Sequence, residues 1–343
     1  MGLQIGNIVS KKSIEFSDLK GKVVLVDAFN ALYQFLTTIR QPDGTPLMDS
    51  KGRVTSHLSG LFYRNLNLLQ EGLKLVYVFD GKAPELKKRT HEKRAEVKDE
   101  ARERYEQAKD EEDIEGMGKY ARQLTFLSNE MIDESKELLK AMGIAIVQAP
   151  SEGEAQASFM ASEHKEVYAV ASQDYDSLMF HAPRLIQNLT LARKRKTVSG
   201  YVDITPQIIE LKEVLKELEI NHEQLVCLAI LSGTDYNPGG VKGIGPKKAL
   251  KLVSEHKEKE KIFQAVKEME KEGKYSIEFE WKEVYDAIEN PDVDKKAKIE
   301  FPKMNPEKIK SILSEHDFSE ERINNQMEKL EELKERSKQR TLF

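Results

Sequence analysis

Short apolar runs recur along the first half of the chain, and each contains β-branched or aromatic residues. The runs occupy residues 23–26, 75–79, 144–147 and 168–171. Runs of this length and composition predict buried strands rather than buried helices. Between them, apolar residues recur at helical spacing over 56–70 and 129–142, which predicts amphipathic helices. Strands that alternate with helices predict an α/β fold with a mostly parallel, twisted central sheet flanked by helices.

A long polar stretch, about residues 82–122, interrupts this alternation. It is rich in Lys, Arg and Glu, which favour helix, but it offers few positions for an apolar stripe. We therefore expect a helical excursion that packs poorly on the core. From Ile204 onward the pattern is mostly helical, broken by a Gly/Pro-rich loop at 233–248. After Ser319 the pattern predicts a charged helix with no obvious core.

Composition narrows the class of protein. The 343 residues are 39% hydrophobic, which is enough for a sizeable buried core. No apolar run reaches the roughly 18 residues expected of a membrane span. The N-terminus carries neither a signal-peptide pattern nor a myristoylation pattern. We therefore expect an intracellular protein without a membrane segment.

The single cysteine and the net charge add two further constraints. Cys227 lies in the apolar run LVCLAIL, so we expect a buried thiol in a reducing compartment. One cysteine excludes an internal disulfide and a zinc site built of thiolates. The formal net charge of −5 does not by itself favour a nucleic-acid binder. A site that gathers many carboxylates lowers the net charge but leaves basic patches elsewhere. The distribution of charge is therefore more informative than the net charge.

Acidic residues follow three of the predicted strands. Asp27 and Asp80 come directly after the first two strands, and Asp174 and Asp176 follow the fourth. Ligands of parallel α/β sheets bind at the carboxyl ends of the strands. We therefore expect these side chains to lie along one edge of the sheet.

Three more acids extend this set. Glu152 and Glu154 begin a helical run after the third strand, and Asp235 follows the apolar run that ends at Leu231. An isolated Asp after a strand is usually a helix cap or a turn residue. The repeated placement instead favours a site for hard cations such as Mg²⁺ or Mn²⁺, which take oxygen ligands. Two such ions about 3.5–4 Å apart can clamp the attacking and leaving oxygens of a phosphodiester.

Five strings in the sequence resemble the acidic motifs of flap endonucleases. They are VLVDA at 24–28, YVFDGK at 77–82, APSEGEA at 149–155, SQDYD at 172–176 and SGTDY at 232–236. Their order and spacing also match, and the resemblance runs to about residue 310. The SEGEA form is most similar to archaeal members. The resemblance implies a structure-specific 5′ flap endonuclease with 5′→3′ exonuclease activity in replication (Okazaki fragment processing) and repair.

The resemblance also implies the ligands of a metal site that holds two Mg²⁺ ions, with Mn²⁺ as a substitute. It does not assign individual acids to individual ions. The implied ligands are Asp27, Asp80, Glu152, Glu154, Asp174, Asp176 and Asp235.

The basic start of the polar stretch lies next to the expected acidic edge. Residues 81–104 carry nine Lys or Arg against six acids, and Lys87 and Arg94 are seven apart, two helical turns, on one face. A solvated helix surface is the ordinary interpretation of such a segment. The resemblance instead implies a helical arch over the 5′ strand, with Lys87 and Arg94 as catalytic cations. It implies that Tyr33 stacks on a base near the cut, although a tyrosine at the edge of the core is the alternative.

A glycine-rich hairpin, GGVKGIGPKKA at 239–249, enters a predicted helix. Glycines allow close backbone approach to a phosphate, and the free N–H groups of a helix start favour an anion. The Gly-Lys-Ser/Thr ending of a P-loop is absent. The hairpin resembles a helix-hairpin-helix element that grips duplex phosphates, often with a bound K⁺ ion. The implied DNA contacts are Gly243, Gly245, Lys247 and Lys248.

Two shorter segments each allow two interpretations. Arg193 and Lys194 belong to a basic cluster that is either a phosphate contact or a solvated loop. The chain ends KQRTLF, which resembles the start of a sliding-clamp binding box with Gln339, Leu342 and Phe343 as anchors. The usual box continues to a second aromatic, and a frayed terminus is the alternative.

We expect four regions in the chain. They are an N-terminal nuclease region at 1–98 with the arch beginning near 82, the rest of the arch at 99–128, an internal nuclease region at 129–310 with the helix-hairpin-helix near 232–255, and a C-terminal helical tail at 311–343. The resemblance implies branched double-stranded DNA with a 5′ flap and a sliding clamp as partners. It implies a monomer in the archaeal cytoplasm, associated with the nucleoid.

Three other functions fit parts of the pattern. A 5′→3′ exonuclease or repair nuclease of the same superfamily would carry the same acids, but repair-type relatives have a very long spacer where residues 104–144 are short. A non-catalytic junction-binding replication protein would gain nothing from massed negative charge beside DNA. A metal-dependent phosphatase for small molecules would leave the basic helices and the glycine hairpin unexplained.

Overall fold

The computed structural model describes residues 3–41, 44–111, 113–197 and 200–329. Within these ranges nine strands form two sheets. They are β1 (Lys12–Ser13), β2 (Val23–Asp27), β3 (Lys74–Phe79), β4 (Ala145–Gln148), β5 (Val167–Ala171), β6 (Arg184–Gln187), β7 (Lys194–Thr197), β8 (Gly200–Asp203) and β9 (Gln207–Glu210).

Helices cover the sheet and build the rest of the protein. They are α1 (Ala28–Thr38), α2 (Ser56–Gln70), α3 (Lys88–Asp110), α4 (Ile114–Gln123), α5 (Asn129–Ala141), α6 (Gly153–Glu163), α7 (Asp176–Met179), α8 (Leu211–Glu217), α9 (His222–Ser232), α10 (Pro246–His256), α11 (Lys259–Lys271), α12 (Trp281–Glu289) and α13 (Pro306–Glu315). Residues 320–329 are also helical. Within the described ranges, no helix is long and apolar enough to cross a membrane.

The large sheet has the strand order β1-β9-β6-β5-β2-β3-β4. Five neighbouring strands, β6-β5-β2-β3-β4, are parallel, which confirms the predicted α/β class. At one edge β9 runs antiparallel to β6, and β1 runs antiparallel to β9. The next strand in the chain after β2 is β3, which lies on one side of β2, whereas β5 lies on the other side of β2. This reversal of strand order creates the crevice in which α/β sheets bind ligands.

The apolar runs of the sequence are continuous because both faces of the sheet are covered. In β2, Val24 and Val26 face a core cluster built with α1, α2, α5 and α13. Val23 and Leu25 face a smaller cluster beneath α6. A third cluster surrounds α9, which is packed by α10, α11 and α12. Cys227 of α9 is fully buried, and burial raises the pKa of its thiol to about 12, which confirms the predicted core cysteine.

The polar excursion is helical as predicted. It consists of α3, which packs against α4 and against a 3₁₀ turn at Glu85–Lys87. Few of its described residues are buried; Ala101 and Ala108 are, whereas Val97 is exposed. The excursion therefore projects from the sheet domain beside the strand end that carries Asp80.

The prediction that the chain is mostly helical from Ile204 onward is confirmed by α8 to α13; among the described residues the exception is β9, whose short run QIIE offers no helical period. One prediction about the second half of the chain is wrong. The segment after Ser319 was expected to lack a core, but Ile323 and Met327 are buried in the cluster that contains α1 and α2. Their spacing of four residues is an apolar stripe too short to stand out within a highly charged sequence.

Close packing of α1 against α2 depends on Gly60. A Cβ atom at this position would lie 2.2 Å from Cγ of the buried Phe35. We predict that Gly60→Ala lowers the free energy of unfolding by about 1–3 kcal/mol, because the overlap outweighs the gain in helix propensity. Chemical denaturation measures the change. Ser59→Ala, on the same helix and only half-buried, is the control, and equal stability of the two variants would refute the packing argument.

Candidate active site

The ends of the parallel strands position the carboxylates of the crevice. Asp27 is the last residue of β2 and the N-cap of α1, and its side chain accepts a hydrogen bond from the Asn30 amide at 3.0 Å. Asp80 follows β3 directly. Because β2 and β3 are adjacent and parallel, both side chains lie at one edge of the sheet.

The N-terminus of α6 is fastened to the end of β3. The backbone N–H of Gly153 donates to Oδ1 of Asp80 at 2.6 Å. A Cβ atom on Gly153 would lie 2.7 Å from that oxygen, so glycine is what allows the approach. Glu152, the N-cap of α6, and Glu154, in its first turn, are thereby brought beside Asp80.

The loop after β5 supplies the next two acids. The Asn30 side-chain amide donates to Oδ2 of Asp174 at 3.1 Å. The backbone N–H of Leu3 donates to Oδ1 of Asp176 at 2.5 Å. Ser177 donates to Oε1 of Glu154 through its backbone N–H, at 3.1 Å, and through its hydroxyl, at 2.7 Å. These bonds hold the β5 loop against α1, α6 and the N-terminal segment.

The seventh acid comes from the loop after α9. Asp235 lies beside Lys87, whose Nζ is 3.8 Å from Oδ2 of Asp235 and also forms an ion pair with Glu152. The Tyr236 hydroxyl donates to Glu152. The Lys87 ammonium stands 5.2 Å from the centre of the Tyr236 ring. The 3₁₀ turn before α3 and the loop after α9 thus meet at the crevice.

Burial and mutual repulsion perturb these carboxyls. Burial, together with the charge of Asp80, raises the pKa of Asp27 to about 7 and that of Glu152 to about 9. Burial also raises the pKa of Asp176 to about 6, and it raises the pKa values of Asp80 and Glu154. Desolvation disfavours a carboxylate, and nearby carboxylates add to the cost.

Acids that are far apart in sequence raise one another's pKa values. The charge of Asp174 raises the pKa of Asp27 and of Asp176. The charge of Asp235 raises the pKa of Asp176 and of Glu152. Such effects need short distances in a poorly solvated environment. The seven predicted acids therefore lie in one group.

The residues of this group fit divalent metal ions. Every one of the seven side chains offers carboxylate oxygens, the ligands of Mg²⁺ and Mn²⁺. The Lys87 ammonium already lies between Glu152 and Asp235, so the group accommodates positive charge. Bound cations would relieve the repulsion that otherwise keeps part of the group protonated.

Sequence reasoning missed the residues that orient the acids. Leu3, Asn30, Ser177 and Tyr236 each donate a hydrogen bond to a carboxylate of the group. Asn30 carried a weak signal, since it lies three residues after a strand-end Asp, the spacing of a helix cap. The other three carried no signal that separates them from ordinary residues.

Two predicted catalytic residues lie on helices that flank the crevice. Tyr33 is on α1 and is 38% exposed, so it lies at the surface rather than within the core. Arg94 lies on α3, and its side chain is outside the described part of the structure. Lys87, on the preceding turn, is the predicted cation that contacts the acids directly.

The glycine hairpin joins α9 to α10. Gly243 adopts a φ of 92°, which favours glycine, and Gly245 is the N-cap of α10. Lys247 is exposed, whereas Nζ of Lys248 donates to the carbonyl oxygen of Gly243 at 2.9 Å. Lys248 is also exposed, so it tightens the loop from the surface, and both lysines place positive charge at the start of α10.

The second basic cluster forms part of a two-stranded hairpin, β7 and β8. Nη2 of Arg193 lies 2.6 Å from Oε1 of Glu71, and its guanidinium stacks 4.5 Å from the Phe16 ring centre. Lys194, the first residue of β7, is exposed. The structure engages Arg193 in contacts within the protein and leaves Lys194 at the surface.

The predicted clamp anchors Gln339, Leu342 and Phe343 lie outside the described residues.

Comparison with known proteins identifies relatives over the whole chain. The XPG N-terminal domain matches residues 3–101 and the XPG I-region matches residues 143–235. "Flap endonuclease 1" of Pyrococcus furiosus is 52% identical over 345 residues, covering 100% of this chain and 98% of the relative. The corresponding protein of Thermococcus onnurineus is 51% identical with the same coverage.

Solved structures of nucleases have a similar fold. The flap endonuclease-1 from Methanococcus jannaschii superposes with a TM-score of 0.75 at 40% identity, covering 97% of this chain and 98% of that one. The catalytic core of Rad2 in complex with DNA substrate superposes with a TM-score of 0.70 at 22% identity, covering 97% of this chain and 100% of that one, which shows that the fold is shared.

The raised pKa values predict how metal and pH together affect stability. The folded-state pKa values of Asp176, Asp27 and Glu152, about 6, 7 and 9, exceed the ordinary ones, so folding retains protons that the unfolded chain releases. The metal-free protein should therefore lose stability as pH rises from about 4, near the ordinary carboxyl values, to about 9. Mg²⁺ binds the ionised carboxylates, so the rise in melting temperature caused by saturating Mg²⁺ should grow from pH 5.5 to pH 9.

Thermal unfolding in EDTA and in Mg²⁺ across this range measures the effect. Glu152→Gln should flatten the pH dependence in EDTA, whereas Glu163→Gln, an exposed change at the other end of α6, should leave it unaltered. A Mg²⁺ effect of equal size at both ends of the range would contradict the assignment of these acids to a metal site.

Proposed function

This chain belongs to the flap endonuclease family, and we propose that it hydrolyses the phosphodiester near the base of a 5′ flap at the seven-carboxylate group. It is a structure-specific nuclease, as its full-length relatives at about 50% identity are. The observation that carries the proposed site is the set of contacts that joins acids from distant parts of the chain: Gly153 N–H to Asp80, Leu3 N–H to Asp176, and Lys87 to both Glu152 and Asp235. Divalent cations bound among these carboxylates would offset the cost of burying so much like charge.

Nucleases of this family are metal-dependent, and we propose two Mg²⁺ ions, replaceable by Mn²⁺, as the metals here. The residues that would hold them are Asp27, Asp80, Glu152, Glu154, Asp174, Asp176 and Asp235. The cations would supply electrostatic stabilisation to the charge that develops on the oxygens of the reacting phosphate. The hydrogen bonds from Leu3 and Asn30 would keep two of these carboxylates oriented before substrate arrives.

We propose that Lys87 and Arg94 draw the scissile phosphate toward the carboxylates. Lys87 is supported by its ion pair with Glu152, because a phosphate entering the crevice would offer the ammonium a stronger partner. A cation that contacts the phosphate would also stabilise the transition-state charge. Tyr33, exposed on α1, would stack on a base beside the cut.

We propose that the 5′ single strand passes beneath α3 and α4. These two helices project beside Asp80 and are joined to the crevice by the turn that carries Lys87. Few buried apolar contacts hold them, so they can adjust to a strand. The boundaries proposed for this arch are about 82 to 128, between the nuclease regions 1–98 and 129–310, which together supply the acids.

We propose that the hairpin between α9 and α10 holds the duplex. Gly243 and Gly245 leave the backbone open, and Lys247 and Lys248 add positive charge at a helix start. Such contacts bind phosphates without reading base sequence. A K⁺ ion in this loop is part of the proposal. Lys194, more than the paired Arg193, would add a second phosphate contact.

The proposed partners are branched DNA with a 5′ flap and a sliding clamp bound by Gln339, Leu342 and Phe343. The enzyme would act as a monomer in the cytoplasm, at the nucleoid, in replication and repair. A 5′→3′ exonuclease activity at the same site is expected, since a nick or a gap presents the same duplex and the same 5′ end without the flap.

A cleavage assay tests the proposed function. Substrates labelled at the 5′ end and carrying a double flap, a nick or a blunt end are incubated with Mg²⁺ or with EDTA. The proposal predicts release of the flap as one fragment in Mg²⁺, slower release of mononucleotides from the nick, and no product in EDTA. Mononucleotide release from every substrate, flap included, would favour the exonuclease instead.

Removal of one carboxylate should separate catalysis from binding. We predict that Asp176→Ala lowers the cleavage rate of a double flap at least about a thousandfold, because the metal site loses a ligand held by the Leu3 amide. Junction binding, measured by fluorescence anisotropy in Ca²⁺, should change by less than about threefold, since phosphate contacts lie elsewhere. Asp203→Ala, on the exposed strand β8, is the control. Cleavage retained by Asp176→Ala would remove this residue from the site.

Deletion of residues 339–343 tests the clamp proposal. The truncated protein should cleave a double flap at the full rate without a clamp, because the crevice lies within the described residues far from this tail in sequence. Stimulation by an archaeal sliding clamp should be lost. An unchanged response to the clamp would refute the proposed anchors.

A further inference from the structure

Outside the carboxylate group, two histidines and a glutamate meet where α7 and α12 end and α9 begins. His181 follows α7, His222 is the first residue of α9, and Glu289 is the last residue of α12. One ligand atom from each lies within 4.8 Å of the other two. The three residues come from distant positions in the chain, so their convergence is a property of the fold and not of a local sequence motif.

The His222 imidazole is oriented as a ligand. Its Nε2 lies 3.1 Å from the Leu178 carbonyl oxygen, which can only accept, so Nε2 carries the proton and Nδ1 carries the lone pair. This is the arrangement in which metal-binding histidines are usually held. Burial, and then the neighbouring His181, lowers the pKa of His222 to about 4, so the ring is neutral at physiological pH.

The Nδ1 lone pair of His222 faces a carboxylate oxygen. Nδ1 is 3.7 Å from Oε1 of Glu289, and Nε2 of His181 is 3.8 Å from Oε2 of the same carboxylate. Oε1 is buried and has no hydrogen-bond partner among the described residues. Two acceptors face each other without a proton between them, which is unfavourable unless a cation lies there.

The separations suit a bridging ion. They are too long for hydrogen bonds. Ligand atoms about 2.0–2.1 Å from a tetrahedral metal lie about 3.4 Å apart. Here each histidine nitrogen lies 3.7 or 3.8 Å from one oxygen of Glu289, Oε1 for His222 and Oε2 for His181. The C-terminal end of α12, at Glu289, adds the negative end of a helix dipole. Small movements of the side chains would complete the coordination.

One adjustment is required of His181. Its ring stacks on His222 with the centroids 3.4 Å apart and the planes at 20°, so the two lone pairs lie in nearly parallel planes. A shared metal needs them to converge. The His181 side chain is 50% exposed and can turn about its side-chain bonds, whereas His222 is held by Leu178.

We propose that His181, His222 and Glu289 bind one divalent transition-metal cation of the Zn²⁺ class, with a fourth position open to water. Two imidazoles and one carboxylate suit Zn²⁺, whereas Mg²⁺ prefers the all-oxygen group of the crevice. The ion would tie the end of α7 to α9 and α12. Since α7 begins at Asp176, this second site would brace the helix that carries a crevice carboxylate.

Calorimetric titration of the full-length, untagged protein with Zn²⁺, in saturating Mg²⁺, tests the proposal. One equivalent of Zn²⁺ should bind without displacement by Mg²⁺, and the melting temperature should rise. His181→Asn, which tolerates the φ of 66° at this position, and Glu289→Gln should each weaken Zn²⁺ binding at least about tenfold. His222→Gln should do the same, and the two more exposed variants decide the outcome if it does not fold.

His164→Asn is the matched control. His164 lies 3.4 Å from Glu166 but belongs to no group with a second imidazole among the described residues, so its loss should not affect Zn²⁺ binding. The proposal is overturned if no Zn²⁺ binds in the presence of Mg²⁺. It is equally overturned if His181→Asn and Glu289→Gln bind Zn²⁺ as tightly as the unmodified protein.

Discussion

Repulsion among buried carboxylates is the constraint on which the rest of this structure depends. Burial and like charge raise the pKa of Glu152 to about 9 and that of Asp27 to about 7, so the fold holds these groups at a cost. Three kinds of contact sustain the arrangement: backbone amides directed at the acids, the ammonium of Lys87, and, in our proposal, divalent cations. Because repulsion among these carboxylates destabilises the metal-free protein, bound metal should raise its stability strongly.

The scaffold explains how acids so far apart in sequence can meet. Parallel strands β2, β3 and β5 end at one edge, α6 brings two glutamates to the same edge, and the loop after α9 closes it. Gly153 allows the closest of these approaches, because any side chain there would displace Asp80. In our proposal the helices α3 and α4 and the glycine hairpin contact the nucleic acid and direct it to the acids.

The sequence predicted the parts of the fold that depend on local pattern. Strands buried on both faces, such as β2, form continuous apolar runs, and each acid directly after one could be placed at the sheet edge. The short strands β6 and β9 contain two central apolar residues each, too few to define a period. The bonds to Asp176 from Leu3 and to Asp174 from Asn30 span 173 and 144 residues, and no local pattern reveals them. The residues that carry charge were therefore predictable, and those that orient them were not.

The central claim is that acids spread over two hundred positions form one pocket for paired cations. Electron paramagnetic resonance of the protein titrated with Mn²⁺ tests it most directly. Two ions within about 4 Å of each other give an exchange-coupled spectrum. The account predicts a coupled signal from two Mn²⁺ ions per chain, lost when Asp27 and Asp80 are both changed to Asn. Mn²⁺ that binds only as isolated, uncoupled ions would contradict it.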